Sequence, residues 1–377
     1  MNLVLFFTRG ASLTMWNNVG MFEREVAVYR RLRDLGHKVA FITYGDKREL
    51  AFGERLPGIR ICCNRWNLSP KVYERLLPYL HMGALRQADL LKTNQTNGAD
   101  VAMRATRRWG KPLIARCGYM WSEFAASEHG AESELGRKSL EIERQAFSAA
   151  ARVVVTTQAM RESIVERLPD RASAIEVIPN YVEVDRFCPA ADPSLLEEAE
   201  LPLLCFVGRL APQKNLENLF QALEGLACRL NVIGQGVLHD RLQEQAKSNP
   251  NIRLLGRVAN DRLPEEYRKA TAFVFPSFYE GHPKTLIEAM ACGLPVIASD
   301  VLGNRELVRH GETGWLCQTD SESIRVGIRE VLGDAELRAR LGRNARQYIV
   351  EHFSLDQLIE RELALYRQVL EEAQPKK

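Results

Sequence analysis

Short apolar runs alternate along this chain with stretches in which apolar positions recur every three or four residues. Residues 2–8 form a run suited to a buried strand. After a polar, glycine-containing loop, Phe22, Val26, Tyr29 and Leu32 share one helical face that stops near Gly36, and residues 39–43 supply the next strand. The alternation continues less sharply through residues 72–91, 101–109 and 113–117, a polar helix around 132–150, and a strand at 153–156. Strand and helix alternating at this period predict a parallel sheet.

The pattern breaks between residues 178 and 201, where Pro179, Pro189 and Pro193, with Pro202 just beyond, sit among acidic and small residues. That is the composition of a crossing between domains. It restarts with a strand at 203–207, a helix whose inner face is Leu216, Leu219, Phe220 and Leu223, and strands at 230–233, 252–254, 272–275 and 296–299. Two similar α/β halves follow, as 377 residues at about 150 per domain also suggest. Leu358, Leu363, Tyr366 and Leu370 mark a terminal helix over 355–370. Periodicity leaves open whether it caps the second half or crosses back to the first. The tail 371–377 is expected to fray, and no low-complexity tract or solenoid repeat is present.

Composition narrows the function classes. A hydrophobic fraction of 46%, a charged fraction of 26% and a net charge of only +3 argue against a disordered chain or a histone-like binder. Residues 1–7 are apolar but follow no basic segment, and no apolar run approaches the roughly 18 residues that span a bilayer, so neither secretion nor transmembrane anchoring is expected. The eight cysteines are scattered apart from adjacent Cys62 and Cys63, which suits reduced, buried thiols and a cytoplasmic setting. Seven dispersed histidines and no HExxH or DxD predict no metal site. Arg104, Arg107, Arg108 and Lys111, with Trp109 among them, read first as solvated surface. Their alternative is peripheral contact with an anionic membrane at the inner face of the plasma membrane. Nucleic acid is not expected as a partner, because aromatics are not interleaved at regular spacing and the overall charge is near balance.

The sharpest chemistry lies in residues 278–293, FYEGHPKTLIEAMACG, where a strand end runs through a loop into a helix beginning near Pro283. Glu280 and Glu288 flank the helix start, and the amides of residues 281–285 stand at its positive end, a site for an anionic or hydroxyl-rich ligand. Isolated glutamates there would merely solvate and cap the helix. A second strand-to-helix corner, residues 207–215 (VGRLAPQKN), carries Arg209 and Lys214, cations suited to a diphosphate; alone they read equally as surface bases. Gly234 and Gly236 form a third corner that admits a nucleotide or simply makes a turn.

VGRLAPQKN followed by EGHPKTLIEAMACGLPVIAS resembles the donor domain of the retaining family-four glycosyltransferases, and the E-x7-E spacing from Glu280 to Glu288 matches that family's pattern. The resemblance is strong over roughly the second half and extends at fold level to the first. It implies an α/β GT-B architecture of two Rossmann-like domains facing a central cleft: an acceptor-side domain over 1–186, a nucleotide-sugar donor domain over 187–350, and residues 351–377 as a helix returning toward the first. It further implies that Arg209 and Lys214 contact the donor diphosphate, Glu288 the ribose, and Glu280 the transferred sugar. Gly281, His282, Pro283, Lys284 and Thr285 would surround sugar and phosphate. Gly234, Gly236, Gly256 and Arg257 resemble base-binding positions, and Gly20 the loop after the first strand, where a small residue admits donor phosphate or acceptor. Two departures stand out: GNRE at 303–306 replaces a more glycine-rich turn, and ARCGYMWSEF after the strand at 113–117 lacks the histidine many relatives carry.

The implied reaction transfers a hexose-type sugar from a nucleotide diphosphate sugar to a hydroxyl of a glycan or lipid-linked acceptor, with retention and without a metal or cofactor. Cell-envelope or exopolysaccharide synthesis is the favoured setting. The rivals are a nucleotide-sugar epimerase, a phosphorylase, and a non-catalytic nucleotide-sugar sensor or subunit.

Overall fold

The computed structural model describes residues 1–190 and 201–374; Pro193 of the crossing and the last three residues of the tail lie outside them. Two compact units are present, one of Met1–Pro179 together with the chain from Ile359 onward, the other of Asn180–Leu358.

The first unit holds a parallel sheet of seven strands: β1 (Asn2–Phe6), β2 (Lys38–Asp46), β3 (Ile59–Asn64), β4 (Leu90–Thr93), β5 (Leu113–Cys117), β6 (Arg152–Val155) and β7 (Ile175–Val177), in the order β3-β2-β1-β4-β5-β6-β7. The second holds six: β8 (Leu203–Val207), β9 (Arg229–Ile233), β10 (Ile252–Gly256), β11 (Ala272–Phe275), β12 (Val296–Ser299) and β13 (Trp315–Cys317), in the order β10-β9-β8-β11-β12-β13. Central strands such as β11 and β12 are buried throughout because helices cover both faces, which is why they read as unbroken apolar runs. Strand order reverses at β1 and at β8, and ligands of open α/β sheets bind beyond the strand ends at such a reversal.

Phe22, Val26, Tyr29 and Leu32 are buried on the helix Phe22–Asp34, as their spacing predicts. The strands that periodicity did not name are β3, β7 and β13, which lie at sheet edges and are mixed in polarity or three residues long, and central β4, four residues that include Lys92. Such segments carry too few apolar positions to show a period.

The helix Leu355–Glu372 continues into the first unit. There Lys92 of β4, only 1% exposed, donates to Glu362 Oε1 and Oε2 at 2.5 and 2.6 Å and to the Tyr366 hydroxyl at 2.8 Å. Burial pulls the Lys92 ammonium below the ordinary lysine range, against the opposing pull of Glu362. Arg152 of β6 pairs with Glu372 at 2.5 Å, two residues before the described chain ends.

Candidate functional site

The site residues expected in the second unit follow the carboxyl ends of β8 to β12. After β8 the chain passes Gly208 and Arg209 into a single 3₁₀ turn, Pro212–Lys214, and then Asn215, whose left-handed backbone (φ 56°) opens the helix Leu216–Ala222. Asparagine tolerates that conformation, and its Nδ2 donates to the carbonyls of Pro276 (3.0 Å) and Thr319 (2.7 Å). Gln213 joins the same loops: its carbonyl accepts from Phe278 N at 2.9 Å and its Nε2 donates to Tyr279 O at 2.7 Å. These bonds bring the corner after β8 against the corner after β11. Lys214 Nζ then meets Glu280 Oε1 at 2.5 Å, with side chains 12% and 8% exposed, and stands 4.7 Å from the Phe275 ring centroid. Arg209 is exposed, and its guanidinium has no hydrogen bond or ion pair among the described residues.

The helix after β11 begins at Lys284 and runs to Ala291, with Pro283 as its extended N-cap rather than in the first turn. Proline fits either place, since the amide hydrogen it lacks has no intrahelical acceptor at a helix start. No side chain caps this start and no acidic residue occupies its first turn, so the positive end of the helix keeps its field. Lys284 adds a charge there, and Thr285 is half-buried beside it. His282 is buried, with its carbonyl accepting from Asn180 Nδ2 at 2.7 Å and its ring 5.5 Å from Phe353.

Glu288 sits apart from the Lys214–Glu280 pair and is 1% exposed. Its Oε1 accepts from Asn260 Nδ2 at 2.9 Å and its Oε2 from the Tyr267 hydroxyl at 3.2 Å. Asn260 Oδ1 in turn accepts from Arg186. Burial and then the Glu288 carboxylate push the Tyr267 hydroxyl up, which keeps it protonated as a donor. Sequence reasoning found neither Asn260 nor Tyr267, because neither stands at a motif spacing from Glu288, and it gave no role to Gln213 and Asn215 although both lie within VGRLAPQKN.

The glycines answer first to the chain itself. A methyl group on Gly234, whose φ is +145°, would lie 1.8 Å from the Gly208 carbonyl oxygen, and one on Gly236 would lie 2.2 Å from that of Leu210. The loops after β8 and β9 are knitted by Leu210 N to Gln235 O at 3.0 Å, and Gly234 N reaches Gly256 O at 2.7 Å. Close approach of backbone to backbone therefore requires these glycines, whatever ligand they also admit. Arg257, just beyond, is exposed. In the GNRE stretch, a methyl on Gly303 would fall 2.2 Å from Gly281 O and 2.4 Å from Glu280 O, so this glycine supports the loop that carries Glu280. Its neighbour Asn304 donates through Nδ2 to Ser299 O at 2.9 Å, and Ser299 Oγ donates to Ser277 O at 2.5 Å.

In the first unit, Gly20 (φ +75°) closes the turn after the helix Leu13–Asn18. Buried Glu49 holds the start of that helix, accepting from Leu13 N (3.1 Å), Thr14 N (2.8 Å) and Thr14 Oγ1 (2.9 Å). Where relatives were expected to carry a histidine, Gly118 N donates to Gln95 Oε1 at 2.8 Å.

The sequence pattern described as glycosyl transferases group 1 matches residues 189–348, and that of glycosyltransferase family 4 matches residues 26–186. This chain belongs to those glycosyltransferases. The glycosyltransferase is 29% identical over 382 aligned positions to a D-inositol 3-phosphate glycosyltransferase of Acidothermus cellulolyticus, covering 92% of this chain and 84% of the relative. It is 27% identical to the UDP-Gal:alpha-D-GlcNAc-diphosphoundecaprenol alpha-1,3-galactosyltransferase of Escherichia coli, over 74% of this chain and 75% of that one. Sucrose-phosphate synthase of Thermosynechococcus elongatus shares its two-domain GT-B fold, with a TM-score of 0.84 and 22% identity over 99% of this chain and 100% of the other.

Among the described residues of this glycosyltransferase, no group of three or more His, Cys, Asp or Glu stands close enough to hold a metal ion, and no helix is long and apolar enough to cross a membrane. Seven of the eight cysteine thiols are buried and all are free, and burial pushes the Cys63 and Cys228 thiols up to about 11. The basic cluster is divided in its roles. Arg104 donates to Asp100 at 3.1 Å and to the Glu74 carbonyl at 2.9 Å, the carbonyl that Pro78, lacking an N–H, leaves open in the helix Pro70–Leu80. Arg107 and Arg108 are exposed.

Proposed function

We propose that this glycosyltransferase moves a hexose from a nucleotide diphosphate sugar to a hydroxyl of a glycan or lipid-linked acceptor, with retained anomeric configuration, in building a cell-envelope or exported polysaccharide. The observation that carries the reading is the meeting of Lys214 and Glu280 at 2.5 Å, where the strand order reverses and beside a helix start without acid or cap. A cation, a field of amides and a carboxylate then share one corner, which fits a sugar joined to a diphosphate.

In this reading Arg209 and Lys214 take the diphosphate, with the backbone groups of residues 281–285 around it. As the bond from the anomeric carbon to phosphate oxygen breaks, negative charge grows on the leaving diphosphate, and groups already fixed in place stabilise it without reorganising. The acceptor oxygen bonds to the anomeric carbon on the same face, and its proton passes to the leaving phosphate oxygen. Glu280 orients the sugar and stabilises positive character at that carbon. Its ion pair with Lys214 draws electron density away from the carboxylate, which favours this role over attack as a nucleophile. Glu288 is assigned to the ribose end of the donor, acting with Asn260 and Tyr267, which hold its two oxygens. Gly234, Gly236 and Arg257 border the base, Gly20 admits the donor phosphate, and other loops of the first unit select the acceptor. The Escherichia coli relative, whose name specifies a UDP-sugar and a diphospholipid-linked acceptor, supports both substrate classes. Reduced thiols support work on the cytoplasmic side, where such donors are made.

The test is a panel of nucleotide sugars incubated with and without envelope glycans or lipid-linked acceptors, read by mass spectrometry. Nucleotide diphosphate together with a glycosylated product is expected. Donor binding without turnover over a broad acceptor panel would replace this reading with a sensor or subunit, and isomerised donor formed without acceptor would replace it with an epimerase.

A further inference from the structure

The helix Pro70–Leu80 of the first unit buries one apolar stripe, Tyr73 and Leu77, and exposes another. Val72, Leu76 and Tyr79 follow at intervals of four and three residues, so they share one face, and exposed Met82 extends the line just past the helix. The stripe runs about 15 Å at 1.5 Å per residue. Lys71 and Arg75 flank it one position back along the helix, both exposed and without a bonded partner among the described residues. Exposed Trp66 lies under the Arg65 guanidinium at 4.6 Å, and at the other end Arg108 stands 5.9 Å from the Tyr79 ring and 4.8 Å from Trp109. Trp109 Nε1 donates to Pro78 O at 3.0 Å, joining the helix Ala99–Trp109 to the same surface.

The charge is one-sided. Residues 65–88 contain four Lys and Arg side chains, Arg65, Lys71, Arg75 and Arg86, the last 5.9 Å from the Trp109 ring, and a single carboxylate, Glu74, which is bound by Arg9 and largely covered. An apolar stripe rimmed by cations with no exposed carboxylate between them complements the headgroups and upper acyl region of an anionic bilayer. A second copy of this chain would bring the same cations against each other across a two-fold axis. We propose that this face, rather than the cluster at residues 104–111 alone, seats the protein on an anionic lipid surface. The aliphatic and aromatic side chains enter the interface while the arginine and lysine stems lie along it with their charges at the phosphates. This goes beyond the donor-site reading and is tested without turnover.

The full chain is sedimented with vesicles of phosphatidylcholine alone and of phosphatidylcholine mixed equally with phosphatidylglycerol. It is expected to partition onto the mixed vesicles only, and to leave them as salt rises. Leu76→Ser with Tyr79→Ser should abolish binding. Arg75→Gln with Arg86→Gln should weaken it on the order of 25-fold, at about fivefold per cation. Arg241→Gln with Lys247→Gln, an equal loss of charge in the second unit, should leave it unchanged. All these side chains are exposed, and thermal melting confirms that the variants fold. Failure to bind mixed vesicles, equal binding to both vesicle types, or binding indifferent to the two patch variants overturns the proposal. So does a concentration-dependent dimer that Leu76→Ser with Tyr79→Ser dissolves, which assigns the face to a second copy.

Discussion

Replacing Gly303 by alanine perturbs the site from outside its chemistry. The added methyl meets Gly281 O at 2.2 Å and Glu280 O at 2.4 Å, both backbone atoms, and ordinary contact begins near 3.4 Å. The loop carrying Glu280 must therefore retreat by about 1 Å, because the turn at Gly303 is tied to the end of β12 through Asn304 Nδ2, which donates to Ser299 O and Oγ. Displacement of that size in a reacting constellation costs about 100-fold in rate, or about 2.7 kcal/mol of barrier, and overpacking costs about 1–3 kcal/mol of stability. The assay is release of nucleotide diphosphate at saturating donor and acceptor, with melting recorded alongside. Gly333→Ala, where no atom lies within 4 Å of the added methyl, is the matched control and should keep parental turnover. Parental turnover in folded Gly303→Ala would refute the placement of the reacting sugar beside the Glu280 loop.

Three further outcomes are expected. Lys214→Ala should weaken nucleotide diphosphate binding about 10- to 100-fold, the worth of one charge-assisted contact, whereas Glu280→Ala should lose more turnover than nucleotide affinity; calorimetry and single-turnover rates separate the two, and equal effects on both would sink the division of roles. In the first unit, burial and then Arg65 and Arg60 hold His81 at about 4, against 6.5 when exposed, and its Nε2 lies 2.8 Å from the Tyr73 hydroxyl. The unfolded chain binds the extra proton, so this contribution is complete above pH 6.5 and is lost as pH falls toward 4, by about 3 kcal/mol in all; urea midpoints across that window should slope less in His81→Gln, and an unchanged slope counts against it. Lys92→Met should destabilise the first unit by about 3–5 kcal/mol by leaving Glu362 buried without its partner, and Lys92→Met with Glu362→Met should recover most of that; a double variant no more stable than the single would contradict the pairing.

The alternation of parallel strands was legible because β1, β8, β11 and β12 are covered on both faces and must be apolar throughout. Edge strands lack that demand, and β3, β7 and β13 left no period to read; central β4 was hidden for another reason, since Lys92 and Thr93 interrupt its short apolar run. The identities of Glu280, Lys214 and Arg209 were legible as chemistry at strand-to-helix corners, yet nothing local announced that Lys214 closes on Glu280 across 66 residues. Glu288 was legible as a motif position and not as a buried acceptor, since Asn260 and Tyr267 come from other elements. Gly234 and Gly303 were read as turn or ligand glycines. Their first cause, contact with another stretch of backbone, is a tertiary fact that composition cannot carry.

The clasp of Lys92 on Glu362 spans 270 residues and sets an order of assembly. Domains usually fold as they leave the ribosome, the amino-terminal one first. Here the first unit emerges with a lysine in its sheet whose counter-charge is made only after the whole of Asn180–Leu358. Until then that lysine must stay wet or lose its proton, so the unit synthesised first completes its fold last.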